Sequence, residues 1–208
     1  MTNAENDSLR LEDVYRPPAA DEAPPGVSAT RDFYVVSRTK FLVLFFATFG
    51  AYQSYWFFAN WRRYRDRTRQ ALYPFWRAVF SPLFAHKLFA LIAGRPAAAL
   101  PQVVAEAAPL PAASWNPSAM ATLYVILVLA SWVVDRLGDN VAIDLASTVL
   151  GLGTAYPLLV AQDAANTASG DPAGASNSRM TTINYVFIVI GLLIWLLFVF
   201  GITSMTSE

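Results

Sequence analysis

The residues able to do chemistry in this 208-residue chain are few, and most are carboxylates or arginines. Asp135, Asp139 and Asp144 fall close together, with Arg136 and Asn140 between them. Three carboxylates so spaced could hold a divalent cation, or divide acid and base work on a lipid head group. The plainer reading is a set of solvated interfacial acids, with Asp139 or Asn140 capping a helix. The single histidine, His86, stands beside Lys87 and far in sequence from those acids, so one chain cannot build a multi-histidine metal site. Cysteine is absent, which removes disulfides, thiolate ligands and cysteine nucleophiles. No spacing fits a metalloprotease, a rhomboid-like serine site or a phosphate loop. Neither a catalytic residue nor a cofactor is expected, and the chain leans away from being an enzyme.

A second concentration of charge is more informative. Residues 54–69 read SYWFFANWRRYRDRTR, a run of aromatics passing directly into Arg62, Arg63, Arg65, Arg67 and Arg69. Tyr and Trp favour the headgroup level, where the ring meets acyl chains and its polar edge meets water. A basic cluster just beyond attracts anionic lipid by about 1 kcal/mol per residue. Arg77 and Lys87, on the stretch that follows, would extend this into a belt for anionic lipid or a partner. The alternative is that the arginines only set orientation.

The elements that must position these residues are set by composition. Apolar residues make up 55% and charged residues 14%, against roughly 25% charged in soluble domains. Such a chain has too little charge to cover a water-facing surface. The expectation is an all-α polytopic membrane protein. Spans of about 20 residues are expected at 41–60, 118–134, 141–161 and 182–203. The apolar stretch 73–94 carries Arg77, Pro82, His86 and Lys87. A basic residue at a span's centre costs about 2.5–3.5 kcal/mol, so an in-plane amphipathic helix is expected there, with a fifth span as the alternative.

The remaining segments connect or project. Residues 1–32 hold seven acids against three arginines, with Pro17, Pro18, Pro24 and Pro25, and read as a disordered acidic arm rather than a signal peptide. The Pro- and Ala-rich 95–117 stretch reads as a connector, and 163–179 as an exposed loop. In the third span Ser147, Gly151 and Ala155 recur at four-residue intervals, a ridge that admits a close helix neighbour within the chain or in an oligomer. Pro157 removes the hydrogen bond to the Gly153 carbonyl and predicts a kink.

Orientation follows from the basic flanks. Five arginines beyond the first span outweigh Arg38 and Lys40 before it, which predicts a cytoplasmic 61–117 segment. The N-terminal arm, the 135–140 turn and the C-terminus are then outside. A first span broken near Gly50 into a re-entrant half-helix would change that assignment.

Two blocks resemble a group of uncharacterised bacterial inner-membrane proteins. The first runs Ser–x–x–Lys–Phe, Thr–x–Gly–x–Tyr–x–x–Tyr–Trp–Phe, Asn–Trp and Pro–x–x–Arg–Ala–x–Phe. Here these are Ser37, Lys40, Phe41, Thr48, Gly50, Tyr52, Tyr55, Trp56, Phe57, Asn60, Trp61, Pro74, Arg77, Ala78 and Phe80. The second contributes Gln162, Asn166, Asn184, Gly191 and Trp195. The resemblance implies a bacterial cytoplasmic-membrane location and transfers no activity.

The functional expectation is a membrane interaction or scaffold protein, its partners being membrane lipid and a protein or second copy of itself, with no nucleic acid. A small oligomeric transport component is the alternative, with Thr48, Gln53 and Ser54 as polar lining. A lipid-head-group enzyme using the Asp135–Asp139–Asp144 set is a third.

Overall fold

The computed structural model describes residues 33–94 and 115–205, and these are helical throughout apart from short connections. The expected 1–32 arm and most of the 95–117 connector lie outside them. In chain order the helices are α1 (Arg38–Ala47), α2 (Tyr52–Thr68), α3 (Pro74–Val79) and α4 (Ser81–Ile92). They continue with α5 (Pro117–Asp135), α6 (Val141–Gly153), α7 (Ala155–Ala168) and α8 (Thr182–Met205).

Residues 41–60 do not form the single expected helix. Ser37 caps α1 by accepting from the Lys40 N–H, and α1 ends after ten residues. Phe49 and Gly50 are both left-handed, at φ 55° and 80°. Two such residues in succession reverse the chain, and Gly50 bears that conformation without the penalty a side chain brings. Thr48 ties the turn: its hydroxyl donates to the Leu44 carbonyl at 2.7 Å and accepts from the Tyr52 N–H at 3.0 Å. The chain therefore doubles back. Tyr52, at the start of α2, packs edge-on against Phe41 of α1, and further along α2 Arg63 reaches the Phe33 carbonyl, upstream of α1.

The 73–94 stretch is likewise two helices. Pro74 opens α3 and Pro82 opens α4, each within a first turn where a missing N–H costs nothing. Ala78, Ala85, Leu88 and Phe89 face inward, whereas Phe75, Trp76, Val79, Phe80 and Leu83 are exposed.

Three helical stretches are long and apolar enough to cross a membrane: Pro117–Asp135, Val141–Ala168 and Thr182–Ser204. The first and last match the expected spans within two residues. At 19 residues α5 is about 28 Å long, close to the hydrocarbon thickness of a bilayer. The middle stretch is α6 plus α7, broken at Thr154, whose hydroxyl donates to the Gly151 carbonyl at 2.6 Å. The break falls in the turn before Pro157, whose missing N–H leaves the Gly153 carbonyl without a helical donor. Part of the expected exposed loop is instead helix, because α7 runs on to Ala168. Its Gln162 and Asn166, one turn apart, bond each other and face the core at 0% and 1% exposure.

Helix α8 crosses α1 at Gly191. A Cβ there would fall on the Ala47 carbonyl and within 2.6 Å of Thr48 Cα, so the backbones meet at a distance only glycine permits. Below the crossing, Trp195 donates to the Phe46 carbonyl at 2.8 Å, and its ring lies 4.6 Å from that of Phe49. The α1–α2 turn thus sits beside the second half of α8, while Lys40 and Arg63 sit near its beginning.

Candidate functional site: a buried extended segment and the basic end

Residues 33–36, FYVV, are extended and almost fully buried, at 4%, 6%, 2% and 0% exposure. Among the described residues no strand pairs with this segment, yet its buried polar groups cannot stay bare. Side-chain amides substitute for a strand. Asn166 clamps Val36 from both sides, accepting from its N–H at 3.2 Å and donating to its carbonyl at 2.9 Å. Asn60 accepts from the Tyr34 N–H at 3.0 Å, and Gln162 donates to the Tyr34 carbonyl at 2.8 Å. Asn177 donates to the Val35 carbonyl at 2.8 Å. The amides are themselves held: Trp56 donates to Gln162, and Asn60 donates back to the Trp56 carbonyl at 2.9 Å. Gly174 closes the far side at φ 64°, where a Cβ would meet the Val36 carbonyl and, at 2.6 Å, the Ser37 nitrogen. The indole, carboxamides and backbone form one connected network, which Asn177 joins to the Lys40 ammonium.

The expected arginine belt divides by environment. Arg62 and Arg65 share Asp66, at 3.8 Å and 2.8 Å, on the exposed side of α2. Arg67 lies over the Tyr64 ring at 5.7 Å, and Arg69, exposed, ends α2 in a left-handed cap at φ 53°. Arg63 turns inward, donating to the Phe33 carbonyl at 2.6 Å and lying over the Tyr34 ring at 5.2 Å. Arg77 is half-buried with its guanidinium over Trp61 at 4.4 Å and Phe84 at 5.0 Å. Trp61 Nε1 and Arg77 Nη1 are both buried without a hydrogen-bond partner, so this contact is aromatic in character. Lys87 is exposed on α4.

One basic residue matters more than its sequence position suggested. Lys40, in the sequence an orientation charge and the lysine of the Ser–x–x–Lys–Phe block, is 3% exposed. Its ammonium donates to Asn177 Oδ1 and to the Arg179 carbonyl, each at 2.7 Å. Burial holds it below the ordinary lysine range, because the charged form loses water there. Lys40 and Arg63 line one pocket of about 350 Å³ with Tyr34, Tyr55, Thr181 and Asn184. The signal available in the sequence was a lysine inside the first turn of an apolar helix.

The acids of the 135–144 region separate at the other end of the molecule. Asp135 and Asp144 line a cleft of about 490 Å³ with Ser131, Trp132, Ser147 and Gly151; Asp139 does not. Among the described residues, no group of three His, Asp or Glu is placed to hold a metal ion. Asn140, not Asp139, caps α6, accepting from the Ile143 N–H at 3.1 Å. Of the small-residue ridge, Gly151 faces Ser131 of α5 within the same chain, and Ala155 is buried beyond the break at Thr154. His86 is exposed, 3.0 Å from the Thr122 hydroxyl. Gln53 accepts from Tyr124 at 3.2 Å, and Tyr124 also bonds Ser81 at 2.8 Å, so this polar group of the α2 start is spent internally.

Compared with protein-family models, curated proteins and solved structures, the chain matches none of them. What fold and composition define is an all-helical membrane protein, its described residues supplying three helices able to cross a bilayer.

Proposed function

We propose that the protein is a multi-span membrane interaction or scaffold protein that engages anionic lipid, or a partner carried on such lipid, through its basic end. The observation that carries this reading is the reversal at Phe49 and Gly50. Because α1 and α2 double back, the Arg38–Lys40 flank and the 62–69 cluster no longer oppose one another; both stand near the start of α8, where Arg179 adds a further charge. Concentrated basic residues stay on the cytoplasmic side. In this reading 41–60 dips into the bilayer and returns, α3 and α4 lie against it with their aromatic edge toward lipid, and three helices cross. The N-terminal arm is then cytoplasmic, the reverse of what the unbroken span implies, while the 135–140 turn and the C-terminus stay outside. The membrane is the bacterial cytoplasmic membrane that the sequence resemblance implies.

The test uses the four outward arginines and spares Arg63, which holds Phe33. The variant R62Q/R65Q/R67Q/R69Q is extracted into native nanodiscs beside the wild type, and copurifying lipids and proteins are identified by mass spectrometry. Enrichment of anionic lipid beyond a single bound molecule per chain, or of a stoichiometric partner, should be lost in the variant. Unchanged association with normal insertion would refute the reading.

A further inference from the structure

The pocket between α1, α2 and the start of α8 differs in kind from the exposed arginines. Lys40 is buried, and both of its recorded acceptors are neutral oxygens. An ammonium carries three protons, so two hydrogen bonds leave both a donor and a formal charge uncompensated by any carboxylate in the pocket lining. Buried charge without a counter-ion is costly, and a group that supplies one gains correspondingly. Arg63 is fixed beside it by the Phe33 carbonyl and the Tyr34 ring, so its planar fork is already ordered. Tyr55, Ser176, Thr181 and Asn184 add hydroxyl and amide groups, and among the described residues no acid lines the space. A volume of about 350 Å³ compares with roughly 30 Å³ per liquid water, which leaves room for a polyatomic oxyanion.

Depth names the source of that anion. Thr181, Ile183 and Asn184 belong to the first turn of α8 and its approach, the level at which an apolar crossing helix meets head groups. Ile183 and Tyr55 are 57% and 51% exposed, giving the pocket an apolar rim beside its cationic floor. We propose that this pocket binds the phosphate of one membrane phospholipid, with Lys40 and Arg63 holding the phosphate oxygens and the rim receiving the proximal acyl chain. The inference rests on α8 crossing the membrane, but not on the outward arginines, so the two can fail separately.

The full-length protein in detergent is titrated with phosphatidylglycerol, and in parallel with inorganic phosphate, and bound species are counted by native mass spectrometry. One phosphatidylglycerol per chain should bind saturably, and excess inorganic phosphate should compete with it. Two variants should each weaken binding about tenfold or more, as expected for loss of a charge-assisted hydrogen bond. Lys40→Met removes the ammonium. Asn184→Asp keeps the acceptor used by the Thr181 N–H and hydroxyl, both at 3.0 Å, and brings a negative charge into the pocket, so it tests the site without loosening the fold. The R62Q/R65Q/R67Q/R69Q variant should bind as the wild type does. Equal retention in Asn184→Asp and wild type would overturn the proposal, as would lipid binding lost only in the four-arginine variant. Inorganic phosphate bound without any lipid binding would overturn the lipid source.

Discussion

Helices α2 and α8 are both rich in aromatics, yet they hold their places by opposite means. Within α8, 24 residues long, large apolar side chains point outward on nearly every side, and very little of the helix is buried against the rest of the chain. It meets α1 at the Gly191 crossing, reinforced by Trp195. By contrast α2 buries Tyr52, Trp56, Phe57, Asn60, Trp61 and Tyr64, and its indole and carboxamide groups join a network with α7 and the 33–36 segment. A helix like α8 is stabilised by transfer to lipid, which asks only for length and hydropathy. Helix α2 depends on particular partners at particular distances. The first should tolerate substitution broadly and the second hardly at all.

The sharpest way to break this comparison is Asn166→Leu. It removes both bonds to Val36 and the acceptor of Gln162, stranding buried polar groups that each cost about 1–3 kcal/mol when unpaired. A loss of about 3 kcal/mol or more is expected, read as a lowered unfolding midpoint of the purified protein. A smaller effect separates two sites on α8 itself. Gly191→Ala drives a methyl into the α1 backbone and should cost about 1–3 kcal/mol, as overpacking does. Leu193→Ala, two residues away and 56% exposed, should stay within about 0.5 kcal/mol in the same assay. Equal losses at the two positions would mean that α8 is not anchored by that crossing.

The difference between the helices also decides what could be read in advance. The boundaries of α5 and α8 were legible because an uninterrupted apolar run of about 20 residues has few other uses. The break at Thr154 was legible from Pro157, which lacks the donor the helix needs. The reversal was signalled by Gly50, but a charge-free run through 41–60 fits a straight span equally well, and only the left-handed Phe49–Gly50 pair separates the two. The network around 33–36 had the weakest signal. Asn60, Gln162, Asn166 and Asn177 are scattered over more than a hundred residues, and nothing local says that they meet. Gln162 and Asn166 did carry one hint, two amides a single turn apart at the end of an apolar stretch. The burial of Lys40 was hidden for a related reason: hydropathy counts its charge but does not sense its surroundings.

The central claim is that the two basic flanks of the 41–60 segment emerge on the same side of the membrane. The chain has no cysteine, so a single introduced thiol reports one position. Thr39→Cys and Gln70→Cys, both at exposed sites on either side of the reversal, are labelled in sealed vesicles with a membrane-impermeant maleimide, with Ser204→Cys at the far end of α8 as the reference. The account predicts that positions 39 and 70 react from one face and position 204 from the other. Labelling of 39 and 70 from opposite faces would restore a span through 41–60 and contradict the account.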